Sequence, residues 1–240
     1  MFTLLNQKSK GSRHVRYLYA MEPEIVFEDG HLIVLNKPAG IVVELDRFGY
    51  PSLERWVRDY FNTIKLPSNA ILGIVHRIDR PVSGLVIMAK KKSVLVSLNT
   101  QFADGTVQKK YLAMVTGNPQ AGETTLSNFL MKDPVQKKAI IAPKKSKRAV
   151  PVSITYKHLG TYGAAHLLEV HPHSGKYHQI RAQLAAAELP IVGDALYGSN
   201  TPFHTNMIKL HASAITCIHP ATQSEVTFSA PIPDSWGVSL

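Results

Sequence analysis

Short apolar runs, and stretches in which apolar and polar positions alternate, recur along this chain between turn residues such as glycine, proline and asparagine. Runs of this kind that are rich in β-branched residues are typical of β-strands. The pattern predicts strands over residues 24–27, 31–35, 41–43, 71–75, 85–89, 107–115, 152–156, 165–170, 210–218 and 225–228.

Three other segments repeat their apolar positions every three or four residues, the spacing of an amphipathic helix. The first predicted helix begins after Ser52, which is placed to cap it, and extends to Ile64. The second is predicted over 93–102, and the third from about 177 to before Pro190. Because strands outnumber helices and come in runs, we expect an α+β fold with a mixed, largely antiparallel sheet flanked by helices.

Composition narrows the class of protein without naming it. A chain of 240 residues with 45% hydrophobic content can form one substantial core, or two small ones that share a cleft. Cys217 is the only cysteine, which excludes an internal disulfide framework and fits a reducing compartment. No apolar run approaches the ~18 residues of a membrane span, and the N-terminus turns basic at once, unlike a secretory signal. We therefore expect a cytoplasmic protein with no membrane partner.

The net charge of +10 favours a polyanionic partner, although charge alone favours nucleic acid only modestly. Clustering makes the prediction sharper, because a solvated face usually mixes signs. One basic cluster lies in the N-terminal segment 1–20, and the other spans residues 132–148, where Asp133 is the single acid. The basic residues of these clusters are Lys8, Lys10, Arg13, Arg16, Lys132, Lys137, Lys138, Lys144, Lys145, Lys147 and Arg148. Both clusters predict phosphate contacts.

The candidate for chemistry is Asp79, which lies between Arg77 and Arg80 in a segment punctuated by Pro81 and Gly84. The predicted strands on either side place this carboxylate on a loop held by rigid scaffold, where reactive groups tend to be found. Taken alone, these residues leave two interpretations open. Asp79 is either a catalytic carboxylate or the partner of Arg77 or Arg80 in a structural ion pair.

The segment H-R-I-D-R-P-V-S-G-L, residues 76–85, resembles the catalytic motif of RluA-type pseudouridine synthases, H-R-L-D-x-x-T-S-G-L. Ile78 for leucine conserves volume, whereas Val82 for threonine removes a hydroxyl. Five further segments resemble family motifs and follow in the family's order. They lie at residues 36–40, 110–117, 178–181, 193–198 and 210–212. Six motifs in order make the resemblance specific, although one alone would be weak.

The resemblance implies a pseudouridine synthase catalytic fold with a central active-site cleft, formed by residues 21–240 without an N-terminal accessory RNA-binding domain. It implies isomerisation of specific uridines to pseudouridine in ribosomal or transfer RNA, with no cofactor and no metal. Asp79 would be the essential carboxylate, Arg181 its partner, and Tyr111 a ring that stacks on the target base. We expect a monomer.

The resemblance also implies that five further residues contribute to substrate binding. Arg77 would fill the space that a flipped nucleotide leaves. Leu210 would pack on the base opposite Tyr111, although an ordinary core leucine fits nearly as well. Lys176 stands where the family has arginine, and it keeps the charge without the planar fork. The remaining two residues are Arg80 and His178.

Other functions explain fewer of these features. A catalytically lapsed RNA-binding or chaperone-like protein stays open as the alternative. A glycoside hydrolase would usually need a second carboxylate. A metal site built from His166, His171, His173 and His178 is disfavoured, since no H-E-x-x-H pattern or cysteine pair accompanies them.

Overall fold

One branched, eleven-stranded sheet organises the part of the chain that the computed structural model describes, residues 22–65 and 71–238. The predicted basic segment 1–20 lies outside these residues. The strands are β1 (Glu24–Glu28), β2 (Leu32–Lys37), β3 (Gly73–Ile74), β4 (Ser83–Ala89), β5 (Gln108–Val115), β6 (Glu123–Asp133), β7 (Lys138–Ile141), β8 (Val150–Tyr162), β9 (Ala165–Pro172), β10 (Leu210–Ile218) and β11 (Glu225–Ser229). The helices are α1 (Leu53–Thr63), α2 (Lys92–Asp104) and α3 (Gln179–Ala186), with short 3-10 turns at Ala195–Tyr197 and Asp234–Trp236.

The strand order is β1-β2-β4-β10-β5-β9-β8-β6-β7, with β3 paired to β4 and β11 paired to β10. Every pairing between these named strands is antiparallel except β4 with β10, where Ser83 lies opposite His211 and Gly84 opposite Ala212. Near the end of this parallel contact, at Ser213, the register of β10 shifts, and from Ala214 onward β10 pairs with β11. The predicted α+β fold with a mixed, largely antiparallel sheet is confirmed.

Successive residues of the central strands point to two separate apolar cores. On one face, Leu35 and Val86 pack in a core that also contains Leu53 of α1 and Leu184 of α3. On the other face, Val34 and Leu85 pack with α2. Strands covered on both faces read as continuous apolar runs, which explains the unbroken apolar sequences 32–35 in β2 and 85–89 in β4. The site described below lies on the face that carries α1 and α3.

Ser52 caps α1 as predicted, with its Oγ accepting a hydrogen bond of 3.2 Å from the backbone N–H of Arg55. Helix α3 begins at Gln179 rather than 177, because His178 has a left-handed backbone with φ of 51°. No helix in the described ranges is long and apolar enough to cross a membrane.

Three predicted strands are wrong in extent. The strand predicted over 152–156 is longer, since β8 covers Val150–Tyr162, and the other two are shorter than predicted. Residues 41–43 form no strand: Val42 makes an isolated bridge to Ser52, and its backbone bonds to Pro51 and Leu53 fold the segment against the start of α1. Of residues 71–75, Gly73 and Ile74 alone pair with β4. Strands β6 and β7 were not predicted: the residues of β6 are largely half-exposed and polar, and β7 is a four-residue strand that lies within the lysine cluster.

Gly84 is required where β4 meets β10. Its φ of +112° lies in the region that side chains rarely adopt. A Cβ atom at this position would also lie 2.5 Å from the backbone nitrogen of Ala212 and would collide with that residue's carbonyl oxygen. The parallel contact therefore depends on the absence of a side chain here.

We predict that Gly84→Ala lowers the free energy of unfolding by more than ~3 kcal/mol, because backbone on both strands must separate. Urea titration at constant temperature measures this loss. Gly30→Ala is the matched control, since a Cβ there meets no heavy atom within 4 Å. Equal midpoints for the two variants would contradict this account of the junction.

Candidate active site

Asp79 lies on the connection between β3 and β4, as the sequence predicted. Its neighbours Ile78 and Val82 are buried in the core that contains α1 and α3, so the loop is held by apolar side chains on both sides. The backbone N–H of Val82 donates to the carbonyl oxygen of Asp79 at 3.0 Å and closes the turn. The Asp79 side chain is 27% exposed. Val82 therefore replaces the family's threonine at a buried position within that core.

Arg181 projects from α3 and holds two carboxylates at once. Its Nη1 donates to Asp79 Oδ2 at 3.1 Å, as the family resemblance implied. Its Nε and Nη2 donate to the two oxygens of Asp194 at 2.7 and 2.8 Å, a bidentate arrangement. Burial disfavours the guanidinium charge, but the hydrogen bonds and charge of Asp194, aided by Asp79, hold the pKa of Arg181 above its ordinary value.

Asp194 is the principal partner of Arg181, and sequence reasoning gave it no role. Its side chain is 1% exposed, whereas that of Asp79 is 27% exposed. The only signal in the sequence was its place in the 193–198 motif, which says nothing about which residue it contacts. Asp194 fixes the arginine, and the arginine in turn holds Asp79.

Two side chains contact the Asp79 carboxylate, and both approach the same oxygen. Oδ2 accepts from Arg181, and His178 Nε2 lies 3.5 Å from the same oxygen. Within the described residues, Oδ1 accepts no hydrogen bond. Arg77 instead pairs with Glu44 at 2.8 Å. The structural ion pairs with Arg77 or Arg80 that the sequence left open are thus absent from the described structure.

Neither Arg80 nor Lys176 forms an ion pair with Asp79 in the described structure. Arg80 Nε donates to the carbonyl oxygen of Gly40 at 3.0 Å, and its guanidinium lies 4.0 Å from the ring centre of Tyr50. Lys176 is exposed, and its backbone N–H donates to Gln179 Oε1. The substrate-binding roles of Arg80 and Lys176 therefore stay predictions.

Tyr111 lies in β5, opposite Ala212 of β10 and Val170 of β9. Burial, together with the nearby charge of Asp79, raises the pKa of its phenol, so the hydroxyl is neutral at physiological pH. Leu210 is 3% exposed within the core that contains α1 and α3, and it pairs with Ala113. Its backbone position is that of a core leucine, and its contact with a base stays a prediction.

Lys37 is a buried cation beneath the Asp79 loop and was also missed as a site residue. Its Nζ donates to the carbonyl oxygens of Pro38 and Ile41 at 2.9 Å and to that of Arg80 at 3.4 Å. Burial lowers the pKa of this lysine to about 7, against the opposing effect of Asp79. Lys37 ties the 36–40 turn to the loop that carries the carboxylate. A single lysine at the end of an apolar strand gives no periodic signal.

The four histidines considered as metal ligands point to different partners. His166 contacts His158, His171 contacts Glu169, His173 contacts Thr155 and His178 contacts Tyr197. Across residues 22–65 and 71–238, no group of three or more His, Cys, Asp or Glu side chains converges as metal ligands would.

Known proteins are similar to this chain both in sequence and in fold. A family model described as RNA pseudouridylate synthase matches residues 31–186. The chain is 34% identical to "Ribosomal large subunit pseudouridine synthase C" of Buchnera aphidicola, over 87% of this chain and 67% of that protein. It is 33% identical to the Escherichia coli K12 protein of the same name, over 93% of this chain and 70% of the relative. The structure of human RNA pseudouridylate synthase domain containing 4 shares the fold with a TM-score of 0.72 at 20% identity, over 88% of each chain. That of human RNA pseudouridylate synthase domain containing 1 also gives a TM-score of 0.72, at 23% identity, over 93% of this chain and 86% of the other.

The chain belongs to the RNA pseudouridylate synthase family. The predicted resemblance to RluA-type pseudouridine synthases is thereby confirmed. The chain is therefore an RNA pseudouridine synthase, which is a class of isomerase.

Burial of both partners predicts that Arg181 is coupled energetically to Asp194 more strongly than to Asp79. We expect Arg181→Leu and Asp194→Ala each to cost ~3–5 kcal/mol, because each leaves a buried charge alone. The double change should cost at least ~2 kcal/mol less than the sum of the single changes.

Urea unfolding of the four proteins measures this coupling. The control cycle replaces Asp194→Ala by Asp79→Ala, and we expect a coupling below ~1 kcal/mol, since a partly exposed charge can recover water. Equal coupling energies in the two cycles would contradict the assigned order of the two contacts.

Proposed function

We propose that this enzyme isomerises specific uridines of ribosomal RNA to pseudouridine, with Asp79 as the essential carboxylate. The observation that carries this proposal is the state of Asp79: Arg181 holds one oxygen, the other is uncommitted within the described residues, and the side chain reaches solvent. Relatives named ribosomal large subunit pseudouridine synthase support ribosomal rather than transfer RNA. As expectations from the sequence, we keep a cytoplasmic location and a monomer within this proposal.

The reaction assigns a task to that carboxylate. The bond from ribose C1′ to uracil N1 breaks, the uracil rotates, C5 bonds to C1′, the proton on C5 leaves and N1 of the product carries a proton. No oxidation state changes. A negative group beside the sugar can attack C1′, stabilise its electron deficiency or begin proton abstraction at C2′. The uncommitted Oδ1 of Asp79 is the oxygen we assign to this step, and Arg181 keeps it in place.

Tyr111 and Arg77 are proposed to handle the base and the gap that it leaves. A base in a duplex must be extruded before the carboxylate of Asp79 can reach its sugar. The neutral ring of Tyr111 offers a stacking surface worth ~1–3 kcal/mol. Arg77 is exposed and held by one surface ion pair with Glu44, which a phosphate or base can replace at low cost.

The basic cluster of residues 132–148 is proposed as the phosphate-binding surface beside this site. It covers the end of β6, strand β7 and the loop that follows, where Lys144, Lys145, Lys147 and Arg148 are exposed. The hydroxyl of Tyr177, next to His178, donates to the carbonyl oxygen of Lys137 at 2.8 Å. RNA bound to this surface would therefore pass close to Asp79.

We predict that Asp79→Asn lowers isomerisation at least ~100-fold, because asparagine keeps the shape but cannot supply negative charge. Release of tritium from RNA labelled at uridine C5 measures turnover. Asp59→Asn is the control, since that carboxylate is 65% exposed on α1. Turnover of Asp79→Asn within tenfold of the unmodified enzyme would exclude the assignment. Complete inactivity of the unmodified enzyme on ribosomal RNA would favour the lapsed RNA-binding alternative.

Neutralising Lys144 and Lys145 to glutamine should weaken RNA binding and flatten its salt dependence. Each true phosphate contact contributes ~0.7–0.9 to the slope of log affinity against log salt. The matched control neutralises Lys91 and Lys92, an adjacent exposed pair at the start of α2 on the opposite face of the sheet. Identical slopes for both double variants would mean that the 132–148 cluster is a solvated surface.

A further inference from the structure

Tyr197 belongs to the 193–198 motif and has no role in the function proposed above. Its ring packs beside α3 and the β6–β7 hairpin, against a cluster that contains Leu130, Ala139 and Ala182. Its hydroxyl oxygen accepts a hydrogen bond of 2.8 Å from the backbone N–H of Ala139. The same hydroxyl lies 3.0 Å from His178 Nδ1. One hydroxyl thus joins strand β7 to a histidine of the site.

These two bonds favour one of the two tautomers of neutral His178. A hydroxyl has one hydrogen to donate, and the backbone N–H of Ala139 already occupies an acceptor position on the oxygen. The Tyr197 hydrogen is therefore available to the lone pair of His178 Nδ1. A neutral imidazole that accepts at Nδ1 bears its hydrogen on Nε2.

The Nε2 side of this histidine faces the carboxylate. Nε2 lies 3.5 Å from Asp79 Oδ2, the same oxygen that accepts from Arg181. At this distance the contact is electrostatic rather than a short hydrogen bond. With hydrogen on Nε2, a positive N–H edge meets the carboxylate, whereas the other tautomer would place a nitrogen lone pair against it. The choice of tautomer changes the contact from attraction to repulsion.

We propose that Tyr197 is a positioning residue that selects the Nε2–H tautomer of neutral His178 and so orients Asp79, leaving Oδ1 for the reacting nucleotide. The inference rests on the proposed function in one respect, the assignment of Asp79 as the essential carboxylate. Tyr197 itself contacts no reacting atom.

The surroundings of His178 keep it neutral, which is what makes the tautomer matter. Burial lowers the pKa of this imidazole to about 4. The charges of Asp79 and Asp194 favour the imidazolium, while those of Arg181 and Lys132 oppose it. The ring of Tyr177 stacks on the imidazole at a centroid distance of 3.8 Å and limits its rotation. At neutral pH the histidine thus has one hydrogen to place on one of two nitrogens.

The first experiment observes the tautomer directly in the full-length protein. Nitrogen-15 shifts of labelled histidine should show His178 with hydrogen on Nε2 and a lone pair on Nδ1. In Tyr197→Phe the ring stays and the hydroxyl is lost, so the Nδ1 shift should move toward the protonated value. An unchanged pattern in Tyr197→Phe would overturn the proposal, and this measurement does not depend on the enzyme's activity.

The second experiment measures the consequence for catalysis. We expect kcat of Tyr197→Phe to fall about tenfold, the lower end of the loss caused by removing the hydrogen-bond partner that orients a metal-bound histidine. KM for RNA should stay within about twofold of the unmodified enzyme, because no RNA contact is removed. Tyr156→Phe is the matched control, since its buried hydroxyl likewise accepts a backbone N–H, from Gln120, but lies elsewhere on β8. A rise in KM with kcat unchanged, or an equal loss of kcat in the control, would assign Tyr197 a merely structural role.

The third experiment separates the tautomer from other effects of the hydroxyl. A glutamine at position 178 has an amide N–H to offer Asp79 and no tautomers. In a His178→Gln background, Tyr197→Phe should change kcat by less than about twofold, whereas it costs about tenfold with histidine present. An equal loss in both backgrounds would overturn the proposal. If Asp79→Asn proves active, the proposed function fails while the nitrogen-15 result still decides the inference about Tyr197.

Discussion

The site depends on the way one buried guanidinium is shared between two carboxylates. Arg181 gives two of its donors to Asp194 in the interior and one to Asp79 at the surface. A buried cation is tolerated when it is paired and hydrogen-bonded, and Asp194 meets that requirement by itself. Asp79 is then a second anion on a cation that is already neutralised. The surplus negative charge therefore lies on the carboxylate that is partly exposed to solvent.

When it is protonated, Lys37 offsets part of that surplus from beneath the loop and also supplies hydrogen-bond donors to buried backbone carbonyl groups. Its three N–H groups meet the carbonyl oxygens of Pro38, Ile41 and Arg80, which belong to two segments far apart in sequence. Buried carbonyl groups need such partners. Lys37 consequently joins the 36–40 turn to the 76–85 loop at Arg80, the residue after Asp79, while Arg181 holds the Asp79 side chain.

Local sequence pattern predicted the central strands and all three helices because those elements bury apolar residues at a regular period. It failed where backbone bonding or charge decides the structure. Residues 41–43 are apolar, yet their backbone partners lie at the start of α1 rather than in the sheet. Strand β6 pairs along its length with β8, but its half-exposed polar residues give no clear period. The pairing of Arg181 with Asp79 joins residues 102 positions apart, and it came from the family resemblance rather than from any local feature. Asp194 and Lys37 were within matched motifs, but a motif does not state which atoms meet.

The strands missed from the sequence are the ones that connect the basic surface to the site. Gln183 of α3 donates to the carbonyl oxygen of Leu126 and to the side chain of Asn128, which fixes β6 against the helix that carries Arg181. Lys132 lies 4.7 Å from the ring centre of Tyr177, which stacks on His178. An edge hairpin needs such contacts, because exposed strands at the end of a sheet have few neighbours. One of these contacts, that of Lys132 with Tyr177, therefore leads toward Asp79 by way of His178. Under the proposed function, a phosphate bound near Lys132 would place a charge three contacts away from the carboxylate, by way of Tyr177 and His178.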